Sequence, residues 1–197
     1  MPMKRVLLIA AAVVIGGGAV FFVLQQEEQA RIRDAVLEEI EQALDLDDDP
    51  AKALRLCAEA LADAPDDAEL LLLRARAYHA RGRFSDVLEA LDAAEPNLGE
   101  EQRDAYRFYR ARALVRRFLD TGDRGDFNLA EGDLESLARS GEFDDAASVL
   151  LGMGLARKDV VAHRDEARER ITRGLKGSGV EAQVDVERAR QILESLR

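Results

Sequence analysis

Residues 68–101 read AELLLLRARAYHARGRFSDVLEALDAAEPNLGEE, and this stretch decides the fold. Apolar residues fall at Leu70, Leu71, Leu73 and Tyr78, then at Phe84, Val87, Leu88 and Leu91, with Gly82 between the two sets. Spacings of three and four put each set on one face of a helix. Two short helices joined by a turn at Gly82 are therefore predicted. Moved back by thirty-four positions the pattern recurs: Leu44 stands under Tyr78, Ala53 under Val87, Cys57 under Leu91 and Ala60 under Ala94. One such helix pair cannot bury its apolar face alone, whereas stacked pairs can.

Toward the C-terminus, the string Arg110-Ala111-Arg112-Ala113-Leu114 echoes Arg74-Ala75-Arg76-Ala77-Tyr78 at a spacing of thirty-six. It predicts a helix from about Glu100 to Asp120. A loop over Thr121 to Asp126 and a helix over Phe127 to Ser140, burying Leu129, Ala130, Leu134 and Leu137, complete that pair. Leu151, Gly152 and Leu155 open another, whose second helix over Val160 to Leu175 is expected to turn Val161, Ala167, Ile171 and Leu175 inward. Gly152 and Gly154 inside a helix cost about 1 kcal/mol each relative to Ala, so close approach of a neighbouring helix is the expected compensation. After a break at Lys176 to Gly179, Val180 to Arg197 reads as one amphipathic helix that covers the last open face.

Toward the N-terminus, Gln25 to Asp45 holds no Pro or Gly and carries Ile32, Val36, Leu37, Ile40, Ala43 and Leu44 on one face. Asp47, Asp48 and Asp49 read as the turn and cap before a helix that starts at Pro50. The alternating ligands and central Gly of a calcium loop are absent from this run.

The repeat length and residue order resemble the tetratricopeptide repeat. The match runs through Leu37, Ile40, Leu44, Ala53, Cys57 and Pro65 in one unit, and Leu71, Ala75, Tyr78, Gly82, Val87, Leu91 and Ala94 in the next. Arg74 departs from it where Leu is usual, and Glu41 where a small residue is usual. The resemblance implies an all-α, right-handed superhelical solenoid over residues 25–176. It would hold about four helix pairs, at 34–67, 68–101, 102–142 and 143–176, with 177–197 as a capping helix. It further implies a binding scaffold without chemistry of its own, in which the first helix of each pair lines a concave face that holds an extended peptide or a partner helix. Carried onto this sequence, that face comprises Leu72, Arg76 and His79 beside Glu69. It continues with Phe108, Arg112 and Arg116 beside Val115, then with Met153 and Arg157 beside Val149.

The chain carries 39 acidic and 28 basic side chains, a net −11. That balance argues against nucleic acid as a partner, because a phosphate-binding face needs a basic surplus. Arginines gathered on the one inward face would be a local inversion of charge. Two readings follow: the groove takes an acidic protein segment or a C-terminal carboxylate, or these arginines pair with the chain's own Asp and Glu. The single cysteine, Cys57, lies on the apolar stripe of Leu54 and Leu61 and reads as a small buried hydrophobe. His79 and His163 have no partner at metal or nucleophile spacing, and no phosphate-loop, dinucleotide or nucleophile-elbow motif occurs. No catalytic residue, cofactor or metal is expected.

Before the repeats, Lys4 and Arg5 precede Val6 to Leu24, nineteen residues without a charge. As a helix this run is about 28 Å long, enough to cross a bilayer core. Residues 1–5 would then be a short cytoplasmic N-terminus and 6–24 a single membrane span. The helical domain would face the periplasm from the inner membrane. Ala12 and Gly16 form a small-xxx-small pair suited to helix packing in lipid, so the chain could be a subunit of an envelope, translocation or secretion complex. The alternative is a cleaved signal peptide with Gly17, Gly18 and Ala19 at its cleavage site, releasing a soluble periplasmic chaperone-like protein.

Overall fold

The computed structural model describes Gln25, residues 27–139 and residues 141–197. The run at 6–24, with Ala12 and Gly16, lies outside the described residues. Among those described, no helix is long and apolar enough to cross a membrane.

The described residues form helices and turns only, as the sequence predicts. Helix α1 runs through residues 27–45 and α2 over Pro50–Asp63. Then come α3 (Ala68–Ala80), α4 (Phe84–Ala94), α5 (Arg103–Thr121), α6 (Arg124–Leu137), α7 (Asp144–Lys158) and α8 (Val160–Gly174), followed by α9 (Val180–Gln183) and α10 (Val186–Ser195). Aspartates punctuate the chain. Asp49, Asp67, Asp123, Asp159 and Asp185 each accept a backbone N–H from the first turn of the helix they precede, contacts typically worth about 1 kcal/mol each. Pro50 sits in the first turn of α2, where its missing N–H costs nothing.

Helices α3 and α4, α5 and α6, and α7 and α8 pack as antiparallel neighbours, and α2 also leans on α3. At the N-terminal end, Leu37, Ile40 and Ala43 of α1 close on Ala53, Cys57 and Leu61 of α2 and on Leu70, Leu71 and Leu73 of α3. The larger core lies between α5 and α10, built around Phe108, Phe118, Phe127, Leu134, Leu151 and Ile171. Helix α5 touches both α3 and α7, whereas α4, α6 and α8 make no comparable contacts with one another. The first helix of each pair thus faces its successor along one side of the stack.

Glycine sets the closeness of the last two pairs. A Cβ on Gly154 would overlap the Phe127 ring, and one on Gly152 would stand 2.9 Å from the carbonyl oxygen of Ala167 and 2.7 Å from Ile171. Between α5 and α6, Arg117 donates from Nε and Nη2 to both oxygens of Asp126, the most buried carboxylate at 4% exposure. A bidentate pair satisfies a charge that could not otherwise be buried at this depth.

Five local expectations are corrected. Thr121 to Asp126 is not a long loop: α5 continues to Thr121, Gly122 closes it with φ +79°, and Asp123 already caps α6. With α6 beginning at Arg124, Phe127, Ala130, Leu134 and Leu137 share the buried face. Leu129, about 200° round the helix from Phe127, is 58% exposed. Val161 stands about 120° from Ala167 on α8 and is 88% exposed. Ile32, expected on the buried face of α1, is also 58% exposed, because the cluster begins at Leu37. The C-terminal segment is two helices and not one: Val184 is extended and buried, and Asp185 starts α10.

Candidate functional site

The apolar residues assigned to the groove are core. Leu72 is buried with Val87, Leu91 and Tyr106. Phe108 is fully buried and stacks on Phe143, with ring centroids 4.4 Å apart, and Met153, Val115 and Val149 are enclosed in the same cluster. The reason is the contact between successive first helices, α3 to α5 to α7, which consumes the apolar positions of their shared side. Glu69 is drawn away toward α1, where it accepts from Arg33 at 2.8 Å. Arg157 is exposed near the Gly122 turn and is not among the charges acting on Arg112.

The polar residues behave differently. Arg112 and Arg116 are one turn apart on α5, and Tyr109 lies one turn before Arg112. Arg76 and His79 come from the facing helix α3. All five are partly buried. Arg76 donates to Asp45 of α1 at 2.7 Å. At the other end Arg116 donates through Nη1 to Asp185, and Asp120 stands 3.9 Å from its Nε. Arg112, between them, has no carboxylate partner among the described residues.

The electrostatics reflect that gap. Burial, together with the like charges of Arg76 and Arg116, pushes Arg112 down to about 10, although Tyr109 acts the other way. Burial also pushes His79 down to about 3, helped by Arg112 and Arg116, so its imidazole is neutral at physiological pH. His79 Nε2 is buried without a hydrogen-bond partner among the described residues, and so is Arg116 Nε. Burial pushes the Tyr109 hydroxyl up and keeps it protonated, against the opposing pull of Arg76 and Arg112. The set is a row of guanidinium groups, neutralised at each end and bare in the middle, with a neutral imidazole and a phenol alongside. Such a surface offers donors to an anion and holds no nucleophile.

The structure places Arg76, His79, Arg112 and Arg116 near one another and adds Tyr109, Asp45 and Asp185 to the set. Tyr109 was legible, because it shares the face of Arg112 at a spacing of three. Asp45 and Asp185 were not. They come from a helix end and a helix cap whose distance from the row depends on how α1 and α10 are placed.

Comparison with known proteins adds one result: the tetratricopeptide repeat family model matches residues 46–114, from the turn before α2 to the middle of α5. No curated protein and no solved structure matches the chain. The matched stretch holds Arg76, His79, Tyr109 and Arg112, and the pairing of α5 with α6 and of α7 with α8 continues the same plan beyond it. Residues 46–114 are thus similar to tetratricopeptide repeats, within a chain whose described residues are helices and turns.

Proposed function

We propose that this chain is an adaptor that binds a protein partner through the side formed by α3 and α5, and that it carries out no reaction itself. Tetratricopeptide repeats suggest protein–protein interaction in general. The finer reading rests on Arg112, an arginine that is partly buried and has no carboxylate partner among the described residues in a chain of net −11. Leaving a charge in that position unpaired is costly, so a site that tolerates it is suited to receive an anion. The partner's contribution is an acidic segment or a C-terminal carboxylate. The partner is held near the inner membrane by residues 6–24, with the helical domain in the periplasm, as an accessory factor or subunit of an envelope, translocation or secretion complex. The basic N-terminus and the nineteen uncharged residues after it support that placement.

Copurification tests the binding face. Full-length protein extracted in detergent is compared with Arg112→Glu combined with Arg116→Glu. Loss of a specific companion from the variant supports the reading, and recovery of the same companions in the same amount contradicts it. Sequencing the mature N-terminus separates the anchored form, which begins at Met1 or Pro2, from a processed one that begins near Val20.

A further inference from the structure

The row of arginines also carries a charge count, and the count says what kind of anion fits. The basic groups that face one another across α3, α5 and α10 are Arg76, Arg112, Arg116 and Arg188. The chain meets them with three carboxylates. Asp45 takes Arg76, Asp185 takes Arg116, and Asp120 takes Arg188 at 2.7 Å. Glu41 acts on Arg76 and Glu142 on Tyr109 through space, and neither forms an ion pair with the row. His79 and Tyr109 are neutral. One positive charge is left over, and it is Arg112.

We infer that the site is built for a single carboxylate, and that Asp45 and Asp185 set this limit by occupying the two ends of the row. The inference rests on the reading of this face as a binding site and goes beyond it. A monoanion would pair the one guanidinium of the row that has no ion-pair partner among the described residues. A dianion, such as a phosphate group or two adjacent carboxylates, would place its second charge against Asp185 or Asp45 in a partly enclosed space. Like charges there repel far more strongly than in water. Asp185 is held for this purpose from two directions: its Oδ1 accepts the backbone N–H of Arg188, and its Oδ2 accepts from Arg116. The cap at α10 and the end of the row are therefore one residue.

The test uses the full chain and simple anions, read through the Nε–H resonance of Arg112 at constant ionic strength. Acetate, malonate and inorganic phosphate are titrated into wild type, Asp185→Asn and Asp45→Asn. Asn caps helices as well as Asp, so Asp185→Asn removes the charge and keeps α10. In the wild type, acetate is expected to shift Arg112 saturably, with malonate and phosphate no tighter than acetate. In Asp185→Asn the preference for malonate over acetate is expected to rise at least fivefold. A wild type that binds malonate or phosphate tenfold better than acetate overturns the single-carboxylate limit, and so does an unchanged preference in both variants. No saturable acetate shift at Arg112 overturns the binding reading itself.

Discussion

Arg116 on α5 hydrogen-bonds Asp185, 69 residues later in the chain, and that contact joins the helix carrying the arginine row to the cap of α10. Asp185 is held below the usual carboxylate range. Burial opposes this, but the Arg188 N–H and the guanidinium of Arg116 outweigh it. The folded pKa is thus lower than the unfolded one, so the pair's stabilisation is present above the unfolded value of about 3.9 and is lost as pH falls through the folded value. Arg116→Gln is expected to raise the Asp185 titration toward its ordinary value, measured by carboxyl-carbon NMR. An unmoved titration would mean that the Arg188 N–H alone holds it.

His79 gives the chain a second acid sensitivity. Unfolded, it gains a proton near pH 6.5, whereas the folded chain leaves it neutral down to about 3. Its effect is absent above about 6.5 and destabilises progressively between 6.5 and 3, reaching about 2 kcal/mol at pH 5. His79→Gln is expected to flatten the fall in urea-unfolding free energy between pH 7 and 5 by that amount. Arg112→Gln, which removes a neighbouring positive charge, is expected to raise the His79 pKa in an imidazole NMR titration.

Two glycines with opposite surroundings test the packing. Gly154 faces the Phe127 ring, and its Cβ would overlap the ring edge. Gly154→Ala should therefore destabilise by about 1–3 kcal/mol through overpacking. Gly132, exposed in the middle of α6, meets nothing within 4 Å. Gly132→Ala is expected to stabilise by about 1 kcal/mol through helix propensity alone. Urea midpoints that move the same way in both would contradict the close contact of α7 with α6.

Much of this fold could be read from period and punctuation. Leu37, Ile40, Ala53, Cys57, Val87 and Leu91 repeat at helical spacing and are buried, and Asp49 caps the helix that Pro50 begins. Position around the helix was read less well where a start was misplaced: beginning α6 at Phe127 hid the turn at Gly122 and put Leu129 inside. The site divides in the same way. Charged residues on one face, Arg112 and Arg116, follow from spacing within a helix. Which apolar residues remain in a groove depends on how closely α3, α5 and α7 approach. That closeness turned Leu72, Phe108 and Met153 into core.

Cys57 reports on the N-terminal end of the stack. Burial pushes its thiol up to about 11, partly offset by Arg74 and by its own backbone hydrogen bond. The native protein is expected to leave Cys57 unreactive toward an aromatic disulfide reagent at pH 8, with full reaction in urea. Fast native-state labelling would show that α1 and α2 open independently of the larger core.

Arg112 is the one arginine of the row whose replacement breaks no internal ion pair. The decisive measurement is therefore calorimetric binding of the shortest partner fragment recovered by copurification to wild type, to Arg112→Gln and to Arg170→Gln on the second helix of the last pair. Loss of a charge-assisted hydrogen bond in an enclosed site should weaken binding by about tenfold or more for Arg112→Gln. Arg170→Gln should bind as wild type does. Equal affinity for wild type and Arg112→Gln would contradict the assignment of the partner to this face.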